Sequence, residues 1–187
     1  KPVATAKAAA EVAVGLAVID LPRYVPAYFT WIANKLSRGA SQYYLAAFGV
    51  GIETWRLLVL LAIEGSISAQ LAGRIIGMDK ASVSRAFKSM AARGLIRIGL
   101  DADDGRLRVA TITPRGRAVH DRIRGLALER ERAFLEVLAP EERELLIGLL
   151  HRLHDNLPAV EQATERYLDQ HFPRAREQRG KARSDND

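Results

Sequence analysis

The chain of 187 residues contains no cysteine. That excludes disulfides, thiol redox sensing and cysteine-ligated zinc or iron–sulfur sites, and it suits a cytoplasmic protein, which is the expectation. Long apolar runs are missing as well. The most apolar stretch, Leu57 to Ile63, is bounded by Arg56 and Glu64 and falls far short of the roughly 20 residues of a spanning helix, so no membrane partner is expected. No Ser/His/Asp arrangement, glycine-rich phosphate loop or paired-carboxylate setting is evident, and an enzyme is not expected. There are no internal repeats. Histidines number four: His120, His151, His154 and His171. His151 and His154 stand three apart on one helix face, with Asp155 nearby, but no third ligand follows at a suggestive spacing. Exposed histidines, and neither a metal nor another cofactor, are therefore expected.

What the chain does have is a concentrated basic stretch. Between Ser66 and Arg117 stand ten Lys and Arg against four Asp, a net charge equal to the +6 of the whole chain. Charge confined to one module is the footprint of a polyanionic partner. The same stretch reads helix, turn, helix, strand, loop, strand. Ser68 to Ile76 is a short apolar-periodic segment with a serine cap, and Gly77-Met78 breaks it. Asp79 caps a second helix, KASVSRAFKSMAARG, which Gly94 closes. Leu95 to Leu100 and Arg108 to Thr113 have the alternation of half-buried strands, with the turn signal DADDGR between them. Two short helices and a hairpin make a winged helix-turn-helix, whose second helix enters the DNA major groove.

The flanks read as helices. Residues 1–20 are expected to be a partly disordered arm or a short helix on a partner subunit; a secretory signal over Val12 to Ile19 lacks a small-residue cleavage site. Residues 21–48 form a long helix, with a bend near Gly39, carrying Tyr24, Tyr28, Phe29, Tyr43 and Tyr44; so much aromatic surface needs a partner. The winged module spans 49–113. Its spine, Glu53 to Glu64, is apolar nearly all round, with Trp55, Leu57, Leu58, Leu60, Leu61 and Ile63 as core. Thr113-Pro114 starts a helix running to about Leu138. Ala139-Pro140-Glu141-Glu142 restarts the chain into a leucine-striped helix that Pro158 breaks. Residues 114–172 thus supply C-terminal helices with a net charge of −4 over Ala118–Phe172, a composition for pairing subunits, and a symmetric homodimer is the default. Residues 173–187 are expected to be a disordered basic tail. The fold class is mainly α, a winged helix-turn-helix flanked by long dimerisation helices.

Over about Val25 to Leu157 the chain resembles the MarR family of bacterial transcriptional regulators. The resemblance rests on ETWRLLVLLAIEG, ISAQLAGRIIGMDKASVSRAFKSMAARGLI, the wing DADDGRLRVATIT and the following TPRGR. Asp104-Gly105-Arg106 looks like the family's Asp-x-Arg wing motif, and Ser84-Arg85 its Thr/Ser-Arg step. The likeness implies an obligate homodimer built from the first and last helices. It also implies a pseudo-palindromic DNA operator and release by a small ligand, an aromatic acid or thioester, with repression as the expected mode. Oxidant-sensing relatives use cysteine, so that route is closed here. A winged-helix architectural or protein-interaction module without a ligand is the alternative.

Helix periodicity turns Val83, Phe87 and Met90 inward and Ser82, Ser84, Arg85 and Lys88 outward. Ser82, Ser84 and Arg85 lie early in the helix, where base edges are reached, and Arg85 is expected at a guanine, by a bidentate contact, or at a phosphate, with an intrasubunit salt bridge as the alternative. Lys80 and Lys88 are expected at phosphates. Arg106 is expected in the minor groove, positioned by Asp104, which either holds its guanidinium or closes the turn. Arg108 faces phosphate or lies on the strand surface. An effector pocket between the dimer helices and the winged module would draw on Lys35, Arg38, Tyr43, Tyr44 and Trp55, aromatic walls with cations that suit an aromatic carboxylate.

Overall fold

The computed structural model describes residues 18–101 and 104–173. The arm expected over 1–20 lies outside the described residues up to residue 17, and the tail expected over 173–187 lies outside them beyond Pro173. The described residues form seven α-helices and a three-stranded antiparallel sheet. They divide into two compact units at Leu128/Glu129.

In the first unit a short 3-10 turn at Leu21–Arg23 precedes α1 (Val25–Phe48). The helix starts later than residue 21 and runs unbroken through Gly39, because the surrounding residues are good helix formers and one internal glycine costs only about 1 kcal/mol. Gly49, at φ +67°, ends it, and the chain turns by 81° into α2 (Ile52–Glu64). Leu57, Leu58, Leu60 and Leu61 of α2 are buried, and Trp55 packs partly buried against the core. Ile63 is the correction: it is 74% exposed. An all-round apolar helix does not announce which face stays bare, and its last turn projects beyond the core.

β1 (Ser66–Ser68) follows, a strand too short to read from the sequence. It pairs with β3 (Arg108–Ile112), which also pairs with β2 (Ile96–Leu100), in the order β1-β3-β2. Ile67 opposite Ala110, and Ile96 opposite Ile112, turn the base of the sheet into the core. The expected alternation along β2 fails beyond that base. Ile96 is buried, but Ile98 and Leu100 are 41% and 63% exposed, because the hairpin leaves the body as a wing.

Between β1 and β2 lie α3 (Ala69–Ile76) and α4 (Lys80–Ala92). Ser68 Oγ accepts from the Leu71 N–H at 3.2 Å and Asp79 Oδ1 from the Ser82 N–H at 2.8 Å, so each helix begins on its own side-chain cap. The tight turn needs Gly73: a Cβ there would stand 2.5 Å from the Met78 carbonyl oxygen. α4 ends in a Schellman motif, with Gly94 N–H bonded to Ala91 and Leu95 N–H to Met90.

α5 (Pro114–Leu135) crosses into the second unit and ends sooner than the sequence suggested. Thr113 Oγ1 accepts from the Gly116 N–H at 3.0 Å and donates to the Gly94 carbonyl at 2.7 Å. This start demands glycine at 116, where an added methyl would fall on the Leu95 carbonyl oxygen. In the second unit, α6 (Pro140–Asp155) and α7 (Leu157–His171) meet at Asn156, with Pro158 in the first turn of α7. Glu142 accepts from the Ala139 N–H at 2.8 Å and so holds the start of α6. Neither α6 nor α7 buries a single residue. Among the described residues no single helix is long and apolar enough to cross a membrane.

Candidate nucleic-acid interface

The outward face of α4 is set by what its inward face packs. Val83, Phe87 and Met90 are buried, which leaves Lys80, Arg85 and Lys88 exposed and Ser82 and Ser84 half-buried. Arg85 does not wave freely. Its Nη2 donates to Ser82 Oγ at 2.7 Å. Ser82 in turn holds the Asp79 carboxyl below the usual carboxylate range through its hydrogen bonds, helped by the positive charge of Arg85. Cap, serine and arginine thus form one connected line along the first turns of the helix. Beside it a cleft of about 340 Å³ opens against the start of α2, lined by Glu53, Thr54, Met78, Ser82, Arg85 and Ser89.

The wing is shaped by its aspartates. Asp104 Oδ1 accepts from the Arg106 N–H and Asp101 Oδ1 from the Asp104 N–H, both at 3.0 Å. The Leu107 N–H bonds the Asp104 carbonyl at 2.9 Å. Of the two roles open to Asp104, the observed contact is with the backbone: it closes the turn that presents Arg106. Arg106 and Arg108 are exposed.

Not every cation of the basic module faces out. Arg93 donates to the Gly49 carbonyl at 2.7 Å, and Arg117 donates through both terminal nitrogens to the Ala62 carbonyl at 3.2 Å. Counting charges along the sequence cannot separate these from cations available to DNA, since their partners lie 44 and 55 residues away.

The structure brings only some of the expected effector residues together. Tyr44 is buried and meets Trp55 edge to face, with ring centroids 5.9 Å apart. Lys35, Arg38 and Tyr43 occupy exposed positions of α1. Three residues the sequence reading passed over complete the cluster. His120 stacks on Trp55 at 5.3 Å, Phe48 lies 6.5 Å from Tyr44, and Arg122 sits 5.4 Å above the Phe48 ring. His120 is buried and hydrogen-bonded to Asp121 at 2.8 Å, which holds the Asp121 carboxyl below its ordinary range. A lone histidine in a helix gives no sequence signal of such a stack. His151 and His154 are exposed, and among the described residues no group of three His, Asp or Glu is placed to hold a metal ion.

A capped recognition helix with an exposed basic face, beside a hairpin wing tipped by arginine, defines a winged-helix DNA-binding protein. Comparison with known proteins narrows the class. Residues 48–107 match the model of the MarR family. The chain is 31% identical over 119 residues to an uncharacterized HTH-type transcriptional regulator, YdgJ, of Bacillus subtilis, covering 62% of this chain and 71% of that one. It is 30% identical to a MarR/EmrR family transcriptional regulator from Acinetobacter sp. ADP1, with a TM-score of 0.71 over 75% of this chain and 99% of that one. MepR of S. aureus, solved as a DNA complex, shares the fold at 20% identity and a TM-score of 0.62, over 70% of this chain and 94% of that one. The chain belongs to the MarR family: it is a DNA-binding transcriptional regulator, of a family that is not enzymatic.

Proposed function

We propose that this regulator acts in the cytoplasm as a homodimeric repressor. It reads a pseudo-palindromic operator with α4 and the wing of each subunit, and a small ligand releases it. The observation that carries the DNA side is the outward face of α4, where Arg85 is already aligned by Ser82 beside Lys80 and Lys88. Arg85 reads a base edge, Ser82 and Ser84 lie at the same edge, and Lys80 and Lys88 hold phosphates. Arg106, presented by the turn that Asp104 closes, enters the minor groove, and Arg108 meets the backbone. That MepR was solved with DNA supports this use of the shared fold.

Dimerisation is supported by apolar surface without a partner in one chain. Leu145, Leu149, Leu153 and Leu157 along α6 and α7, and Tyr28, Phe29 and Ile32 on α1, are 41–64% exposed. The ligand site is the cluster around Tyr44 and Trp55, with Arg122 over the Phe48 ring as its cation and with Lys35, Arg38 and Tyr43 of α1 as further candidates. A flat aromatic acid or thioester suits such walls. Binding there favours a spacing of the two recognition helices that misfits half-sites about one helical turn apart.

The test is selection from random-sequence duplex DNA, followed by salt titration of the enriched sequence. The expected result is an inverted repeat bound with steep salt dependence. Steep salt dependence without an enriched repeat would make the protein an architectural binder, and no binding at low salt would make it a protein-interaction module. If no aromatic acid or thioester weakens operator binding, the ligand part of the proposal falls.

A further inference from the structure

The ends of the winged module are tied to the neighbouring helices by two guanidinium groups that the basic stretch hides among its ten cations. Arg93 is the C-cap of α4 and reaches back to the Gly49 carbonyl at 2.7 Å. Gly49 is the left-handed residue where α1 stops and the chain turns 81° into α2. Arg117 lies in the first turns of α5 and spans to the Ala62 carbonyl in the last turn of α2, with both terminal nitrogens at 3.2 Å. Each arginine therefore lands on the C-terminal end of a helix, where unpaired carbonyls and the negative end of the macrodipole favour a cation. Each also joins elements that the sequence separates by dozens of residues. Arg93 links the recognition helix to the corner where α1 ends; Arg117 links the start of α5 to the end of α2.

We propose that Arg93 and Arg117 are positioning residues for DNA reading: they spend their charge on helix ends rather than on phosphate, Arg93 fixing α4 against the corner of α1 and Arg117 fixing the start of α5, which holds the end of α4 through Thr113, against α2. Two features of the structure make this more than a local cap. The residues after Arg93 run into a Schellman turn whose Gly94 carbonyl also accepts the Thr113 hydroxyl at 2.7 Å. The end of α4, the corner of α1 and the start of α5 therefore share a short chain of contacts. Arg117 follows directly from that start, since its own N–H bonds the Thr113 carbonyl at 2.8 Å. A tilt of α1 or α5 is passed to the recognition helix through these bonds, because polar contacts between rigid helix ends have few alternative arrangements. The inference rests on the operator reading above and adds to it which cations do not touch DNA.

The experiment compares the full-length wild type with Arg93→Ala, Arg93→Lys and Arg117→Ala. Each is titrated with the selected operator and with an unrelated duplex over a range of salt. Thermal unfolding is followed alongside, so that every titration is run well below the melting temperature. The expected result is that Arg93→Ala and Arg117→Ala each lower the ratio of operator to unrelated-duplex affinity by about tenfold, the loss of one guanidinium–carbonyl tie. The slope of log affinity against log salt stays as in the wild type. Arg93→Lys, which keeps a cationic donor, restores most of the ratio. A slope lower by about 0.9 for each arginine removed, with equal loss on both duplexes, would make them phosphate contacts and overturn the proposal. A lower melting temperature with an unchanged affinity ratio would make them merely structural and overturn it too. If the wild type itself enriches no operator, the reading beneath fails and the inference falls with it; if it does, the variants decide.

Discussion

Two leucine-rich helices in this chain have nearly opposite fates. In α2, Leu57, Leu58 and Leu61 are fully buried and Leu60 nearly so. In α6, Leu145, Leu149, Leu150 and Leu153 are 37–64% exposed and no residue is buried. Composition already leans that way, since α2 is apolar nearly all round whereas α6 sets its leucine stripe among six charged residues. Company adds to this: α2 lies among α1, α3, α4, α5 and the sheet, whereas among the described residues the second unit offers α6 a neighbouring helix with its own bare face. A fully buried leucine contributes about 2 kcal/mol relative to an exposed one, so α2 anchors a module that can hold itself together. The leucines of α6 carry the same potential unrealised in a single chain. The winged module completes its core within one chain, whereas α6 presents an apolar face that fits the proposed second copy.

The largest effect belongs to the core of the first unit. Leu57→Ala should lower unfolding stability by about 2–5 kcal/mol, read from denaturant curves, and abolish operator binding only through loss of fold. At the other end, the double substitution Leu149→Glu with Leu153→Glu should leave unfolding of the winged module nearly unchanged. It should convert the protein to monomers and weaken operator binding by about a hundredfold or more, since two linked half-sites become two separate ones. Sedimentation and operator titration together check it. If the double variant stayed dimeric and bound the operator normally, the exposed face of α6 would have no part in assembly.

Smaller effects sharpen the picture within the first unit. Arg106→Ala should weaken operator binding by about tenfold, in the range of one lost groove contact, while the sedimentation profile stays that of the wild type. Dissociation into monomers would show the wing to be misassigned. The smallest effect is a pH dependence at the start of α4. The Asp79 carboxyl is held below its ordinary range by Ser82, so its ionised form is the one that favours the folded state. That contribution is fully present above the unfolded carboxylate value near pH 4 and is lost as pH falls through the lower folded value. Asp79→Ala should therefore melt below the wild type at pH 7, and the gap should close as the solution is acidified below about pH 4. Asp79→Asn, which keeps an accepting oxygen, should show a smaller gap at pH 7.

Much of this arrangement was legible in the sequence because it rests on local chemistry. Ser68 and Asp79 cap where their residue types and spacing placed them, and the Val83, Phe87, Met90 stripe turned inward as its period required. What escaped depends on contacts that are distant or weakly patterned. β1 is three residues long and gains its identity only from β3. Ile63 looked like core because an all-round apolar helix carries no sign of which turn outruns its neighbours. Ile98 and Leu100 carry the sequence pattern of a half-buried strand yet stand exposed on a wing that, among the described residues, no second layer covers. Arg93 and Arg117 counted as basic surface until their carbonyl partners appeared. His120 could not be told from the other three histidines until Trp55 lay against it.

Whether the apolar faces of α1 and α6 are covered by a second copy is decided by the mass of the chain in solution, from sedimentation equilibrium across nanomolar to micromolar concentrations. The expected mass is twice the 20.6 kDa of one chain throughout that range, falling to that of one chain in the Leu149→Glu, Leu153→Glu variant. A wild-type protein that sediments as a single chain while still binding its selected DNA would contradict it.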